Sequence, residues 1–343
     1  MVAQLSLTAG PERANRVSPS STSNIGGRSL PSNQDRAVRL LARYRNLFLL
    51  IFAFVAVFAV VETTLRAIGS PYLLTQRNGP GQVALYLIGL GAILWFCRRV
   101  AGINPFDFLK GYLRDWRRAL RGFFFCWLVA TTAMVVIHAG MIASGSAVIS
   151  WDDVSAYGFK AFGSTVRAML VMLVLVLAEE MIFRGFVLRY LRASPGLFAT
   201  VLAVVVASAI FSLSHTVSLG ARLGSDDLFN LLFGLFMLGV LLSTVYVATG
   251  SLACAMGIHA ALLGFKVFLR KTHFVDYVDS SLMSSGDLRT GPALWAIMLI
   301  FVAGFVLARR WLSQRYRIET AYALDPNDGR GLGFRLENAG ERP

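Results

Sequence analysis

The chain has 343 residues, of which 56% are hydrophobic and only 15% charged, and its mean hydropathy is +0.61. Those values exclude a soluble globular domain and define a polytopic membrane protein. The net charge of +14 does not define a nucleic-acid binder, because the basic residues stand at the ends of apolar segments and in two tails rather than in a module of their own.

Residues 1–42 are rich in Ser, Arg, Gly and Pro, carry no periodic apolar pattern, and are expected to form a disordered basic tail. An Arg-rich, Ser-rich, acid-poor start also fits an organellar transit peptide, but a basic cytoplasmic tail is the simpler reading. The first apolar run begins only near Leu47, so no cleavable signal peptide is expected.

Apolar runs follow at about 47–64, 83–97, 123–142, 165–190, 197–215, 228–248, 251–268 and 292–308. Each is long enough, or nearly so, to cross a hydrocarbon core of about 30 Å. The expected fold is therefore all-α, with about eight transmembrane helices in a domain spanning 43–312 and a polar C-terminal tail at 313–343. Between the second and third runs, Leu109, Tyr112, Leu113, Trp116 and Leu120 share one helical face, while Lys110, Arg114, Arg117, Arg118 and Arg121 lie towards the other. That pattern predicts a helix in the headgroup plane after Pro105.

Loop charge sets the orientation. Arg36, Arg39, Arg43 and Arg45 precede the first helix, seven basic residues occupy 98–121, and Arg309, Arg310, Arg315 and Arg317 follow the last, whereas 143–162 holds only Lys160. Both termini are therefore expected in the cytoplasm, with 269–290 a longer polar loop on the opposite face. Cys97, Cys126 and Cys254 fall inside apolar runs without a C-x-x-C pair, which argues against disulfides and a thiolate metal site. No internal repeat suggests an inverted-repeat transporter.

The chemistry concentrates in Leu177-Ala178-Glu179-Glu180-Met181-Ile182-Phe183-Arg184, at the end of a long apolar run. Ionisable groups at membrane depth cost roughly 2.5 to 3.5 kcal/mol each on insertion scales, so their presence points to a site. Adjacent helical residues diverge by about 100°, so Glu179 and Glu180 cannot share one partner. Arg184 lies four residues after Glu180, the favourable order for a pair on one face. Glu179 is then left without a local counter-charge, desolvated and beside another acid, which suits a general base.

Two of the four histidines, His215 and His259, stand inside later apolar runs. Phe211 precedes His215 by one turn, so its ring packs on the same face. Small residues around His259 admit a neighbouring helix. The midpoint of 179 and 215 is 197, at the Ser194-Pro195-Gly196 break, so the two residues should be level in an antiparallel hairpin, about 27 Å from the turn. His259 is only about 13 Å past the Thr249-Gly250-Ser251 turn, which predicts a mismatch in depth. His138 and His273 are read as ordinary residues.

Glu179-Glu180-x-x-x-Arg184, Phe211-x-x-x-His215 and a final His259 in the run from Thr249, with Phe233, Gly234 and Gly239 ahead of it, together resemble the CPBP family. This is the family of CAAX proteases and bacteriocin-processing enzymes that includes the type II CAAX prenyl endopeptidases. The resemblance covers roughly 160–268, about a third of the chain. It implies an intramembrane endopeptidase in which Glu179, with His215, activates a water that attacks a peptide carbonyl. Glu180 and Arg184 would shape the site, and His259 would stabilise the oxyanion with an Asn or Asp four residues later. Here that position is Leu263, and one missing oxyanion donor typically costs about 100- to 1,000-fold in rate. Asn230 is a candidate to substitute for it in space.

The resemblance further implies a membrane-embedded or lipid-modified peptide substrate in the bilayer, and no nucleic acid. The expected setting is a bacterial plasma membrane. Glu179, His215 and His259 also form a candidate zinc set with an open water position. The chain holds no H-E-x-x-H, and a metal-free glutamate mechanism is the favoured form. Two alternatives are a non-catalytic scaffold or bacteriocin-immunity protein, which Leu263 motivates, and a transporter using Glu179 and Glu180 as a proton relay.

Overall fold

The structure is a computed structural model that describes residues 105–192, 196–215, 227–278 and 291–318, with short stretches between 41 and 98. The tail at 1–40, most of the first two expected helices and residues 319–343 lie outside the described residues.

The described chain is mostly helical. Helix α1 (Pro105–Arg114) is followed after Asp115 by α2 (Trp116–Ala143), and α3 spans Trp151–Glu180. It continues without a break through a π-helical segment, Met181–Leu188, and a last helical turn, Arg189–Leu191. Helix α4 (Leu197–Ser214) returns antiparallel, and α5 (Asp227–Thr249) and α6 (Leu252–Thr272) form a second hairpin. Helix α7 (Pro292–Leu307) and α8 (Arg309–Tyr316) meet at a 74° bend. Among the described residues, α2, α4, α5 and α6 are each long and apolar enough to cross a membrane, and the bent pair adds a fifth span if counted as one.

Three expectations from the sequence are corrected. The basic segment expected as one helix in the headgroup plane ends at Arg114, and Trp116 to Arg121 form the foot of the spanning helix α2. Its apolar residues Leu113, Trp116 and Leu120 face outward, while the Tyr112 hydroxyl accepts the first amide hydrogen of α6, from Leu252, at 2.6 Å. The loop expected at 269–290 begins only after Thr272, and its first part is a strand, β2 (Val275–Tyr277). Strand β2 pairs antiparallel with β1 (Ala147–Ile149), in register Ala147 with Tyr277, so a short ribbon ties α2 to α6. The tail expected from 313 starts later too, because α8 runs to Tyr316 and Leu312, Tyr316 and Ile318 are buried.

Helix α6 is central, packed against α2, α3 and α5. The most apolar windows of α5 and α6 are 67% and 56% buried, against 22% and 28% for α2 and α4, so the latter keep faces for lipid. The main core joins Cys126, Ala130 and Met134 of α2 to Leu235, Leu238 and Leu242 of α5 and Cys254, Ala255 and Ile258 of α6. The Thr249-Gly250-Ser251 turn works as its residues suggest. Gly250 takes φ +65°, and the Thr249 hydroxyl accepts the Ser251 amide hydrogen at 3.1 Å.

Closeness of α2 and α6 depends on Gly257. A Cβ there would fall against the Phe123 carbonyl oxygen and 3.0 Å from the Trp127 nitrogen, both rigid backbone. Overpacking of this kind typically costs about 1 to 3 kcal/mol, and relief requires the helices to part. Gly257→Ala is expected to lower the thermal midpoint of the detergent-solubilised protein by several degrees, while Gly140→Ala, where a Cβ meets nothing within 4 Å, leaves it unchanged.

Candidate active site

Where α3 passes into the π-helical segment, the chain presents Glu179 and Glu180. A π-helix wraps more residues per turn than an α-helix and is rarely used except at functional sites. Here it begins immediately after the paired acids and carries Arg184 at its centre.

Glu180 is fully buried and Arg184 is 1% exposed. The expected one-turn pair forms, with Arg184 Nη1 donating to Glu180 Oε1 at 2.9 Å. Two further features hold the guanidinium. Nη2 donates to the Gly239 carbonyl at 3.3 Å, and Cζ lies 4.6 Å from the centre of the Phe211 ring and 5.9 Å from that of Phe183. The Gly239 carbonyl is reachable because a Cβ there would sit 2.9 Å from Ser208 Cβ, so only glycine lets α5 press against α4. Glycine at 239 was legible as part of the motif, but its carbonyl was not legible as an arginine acceptor.

His259 closes the cluster from α6. Its Nδ1 lies 2.8 Å from Glu180 Oε1 and its Nε2 lies 3.7 Å from Glu179 Oε2. A carboxylate oxygen accepts, so Nδ1 carries the hydrogen and Nε2 is directed towards Glu179. One oxygen of Glu180 thus receives two donors from two different helices. Its other oxygen and Arg184 Nε are buried without a hydrogen-bond partner among the described residues. Glu179 differs from its neighbour in keeping 17% of its side chain exposed.

His215 caps the end of α4. Its Nδ1 is 2.8 Å from the Phe211 carbonyl, which only accepts, so Nδ1 donates and Nε2 is the basic nitrogen of the neutral ring. Phe211 is fully buried and links the two histidines, with ring centres 4.7 Å from His215 and 6.2 Å from His259.

The antiparallel register expected from the Pro195-Gly196 break holds on either side of it. Phe183 meets Phe211 edge-on at 5.0 Å, and Arg192 Nε donates to Thr200 Oγ1 at 3.4 Å. The expected depth mismatch with His259 is not observed. The first helix ends at Leu191, about 11 residues after Glu180, and His259 lies about 8 residues after Ser251, so at 1.5 Å per residue the two differ by roughly one turn or less. The π-helical segment, with more residues per unit of axis, narrows that further.

Leu263 is one turn beyond His259 on α6 and half-buried, and Asn230 lies near the start of α5. Neither takes part in the contacts that bind the cluster. Outside it, His138 is more than an ordinary surface residue. It is buried, with Nδ1 donating to the Met134 carbonyl at 2.8 Å and Nε2 2.9 Å from the Tyr277 hydroxyl, and so locks the β ribbon to α2.

Among the described residues no group of three His, Cys, Asp or Glu is placed to hold a metal ion, the candidate set Glu179, His215 and His259 included.

Residues 161–263 match the family model of the Rce1-like type II CAAX prenyl endopeptidases. The match contains every residue of the cluster and supports membership of the CPBP family. No curated protein and no solved structure matches the chain significantly.

Breaking a buried ion pair by removing one partner typically costs about 3 to 5 kcal/mol, because the other charge is left uncompensated. Arg184→Ala is therefore expected to lower the thermal midpoint by ten degrees or more or to abolish folding. Arg184→Lys recovers little, since an ammonium does not reproduce the fork that reaches both Glu180 and the Gly239 carbonyl. Glu179→Gln, at a position 17% exposed and outside the Glu180–Arg184 pair, is expected to shift the midpoint by no more than a few degrees in the same thermal unfolding experiment.

Proposed function

We propose that the protein is an intramembrane endopeptidase in which Glu179 is the general base. The observation that carries this reading is the asymmetry of the two carboxylates. Glu180 is sealed at 0% exposure and consumed by Arg184 and His259, whereas Glu179 keeps 17% exposure and stands 3.7 Å from a histidine nitrogen. A base must reach a water, and of the pair only Glu179 meets that requirement.

In this mechanism Glu179 takes a proton from water as the oxygen attacks a peptide carbonyl, and returns it to the departing amine. His215 assists through Nε2, its ring oriented by the Phe211 carbonyl and face. His259 is held by Glu180 so that Nε2 points to the same region, where, in the doubly protonated ring, Nε2–H donates to the negative charge developing on the carbonyl oxygen. Arg184 and Glu180 act as positioning residues. The substrate class is a membrane-embedded or lipid-modified peptide, and prenylated peptides are the first to test because the matched family is named for them. The basic residues flanking the spans support a plasma-membrane orientation with both termini cytoplasmic.

Leu263 favours a second reading, a non-catalytic member that binds another membrane protein, because it supplies no donor beside His259. The two readings separate in one assay. Purified protein in liposomes, given fluorogenic membrane peptides with and without a prenyl group, is expected to cleave at a rate that falls at least about 100-fold in Glu179→Gln. Leu263→Asn is expected to raise the rate by roughly 10-fold or more by adding an oxyanion donor. Equal cleavage by wild type, Glu179→Ala and His215→Ala removes the protease reading.

A further inference from the structure

At the 74° bend between α7 and α8 lies a cleft of about 480 Å³ lined by Val306, Leu307, Arg309, Arg310 and Ser313. We propose that this cleft binds the phosphate head group of an anionic phospholipid, with Arg309 and Arg310 on the phosphate, Ser313, whose hydroxyl donates to the Arg310 carbonyl at 3.0 Å, forming the cleft wall, and Val306 and Leu307 against the upper acyl chains.

The cleft changes chemistry in order along its length. Leu307 is 86% exposed and Val306 56%, at the very end of an apolar span, so lipid covers them in a bilayer. The next two outward side chains are guanidiniums, at the level where the hydrocarbon gives way to head groups. Apolar residues and paired arginines on one cleft match an amphiphile whose charged end is a phosphate, the group that guanidinium forks bind best.

The cleft is also built and fixed. Helix α8 carries Arg309 and Ser313 one turn apart on one face and Leu312 and Tyr316 one turn apart on another, and the latter two are 3% and 7% exposed. Tyr316 stacks on Phe125 with ring centres 5.2 Å apart, Trp311 meets both rings edge-on, and Arg118 Nη1 donates to the Arg317 carbonyl at 3.1 Å. The bend therefore cannot straighten without tearing α8 from α2.

The charge of the cleft is one-sided. No Asp or Glu occurs between Gly291 and Ile318, and neither Arg309 nor Arg310 has a carboxylate partner among the described residues. Arg192 stands close enough that burial, together with the charges of Arg309 and Arg317, holds its guanidinium below the ordinary range. Net positive charge without a protein counter-ion selects a net-negative lipid over a zwitterionic one.

The test uses the full chain in mixed micelles with phosphatidylglycerol or phosphatidylcholine, and reads retained lipid by native mass spectrometry. Wild type is expected to retain phosphatidylglycerol in preference to phosphatidylcholine. Arg309→Ala/Arg310→Ala is expected to lose that retention roughly 30-fold, about 5-fold per arginine, with an unchanged thermal midpoint without lipid. Arg270→Ala/Lys271→Ala, which removes equal charge from the last turn of α6, is expected to lose none. The proposal is overturned if both double variants lose retention equally, if phosphatidylcholine is held as well as phosphatidylglycerol, or if millimolar inorganic phosphate displaces the lipid fully, which assigns the site to free phosphate. Should the first double variant fail to fold, Ser313→Leu, which fills the cleft without removing charge, is expected to reduce retention at least 3-fold, and unchanged retention contradicts the assignment.

Discussion

A single carboxylate oxygen, Glu180 Oε1, receives a guanidinium from its own helix and an imidazole from α6. Much of the core follows from satisfying that oxygen away from water. A buried carboxylate is tolerable only when paired and hydrogen-bonded, so α3 and α6 must meet at this level. Arg184 in turn needs acceptors and a ring face, which it finds in the Gly239 carbonyl and Phe211, and so α4 and α5 are drawn to the same point. Glycine at 239 and at 257 is what lets the helices come that close. Four helices are thereby registered by one polar contact in a setting where apolar packing alone discriminates poorly between axial positions.

The same contact separates the surroundings of two adjacent acids. Glu180 is committed to structure, and its engagement of His259 Nδ1 turns the other ring nitrogen towards Glu179. The carbonyl of Phe211 does the equivalent for His215. Both histidines are thus held in one tautomer by an acceptor behind the ring, the arrangement that lets an imidazole serve as a base on its far side, or as a donor there once that nitrogen is protonated. The match of residues 161–263 to the Rce1-like family agrees with a protease-like role for this arrangement.

Much of this was legible in the sequence because it depends on short-range periodicity. The four-residue spacing predicted the Glu180–Arg184 pair, the midpoint at 197 set Glu179 level with His215, an antiparallel register that the Phe183–Phe211 contact follows, and the small residues around His259 predicted a close helix. The π-helical turn at 181–188 was not legible, since no residue in Met-Ile-Phe-Arg-Gly-Phe-Val-Leu forces an extra residue per turn. That turn, with a helix end at Leu191 rather than at the Pro195-Gly196 break, brought His259 to a depth that uniform counting denied it. The link from His138 to Tyr277 joins residues far apart in sequence, and no local pattern carries such a contact. The anchoring of α8 was missed because Leu312 and Tyr316 sit among four arginines, where mean polarity hides a one-turn apolar pair.

The central claim is that Glu179, the accessible one of two adjacent acids, performs peptide-bond hydrolysis on membrane substrates. It is tested most directly by profiling new peptide termini in membranes that contain either the wild-type protein or Glu179→Gln at equal abundance. The account predicts at least one terminus from a membrane-embedded or lipid-modified protein that is present with wild type and lost with the variant. Identical sets of termini from the two membranes, with both proteins folded, would contradict it.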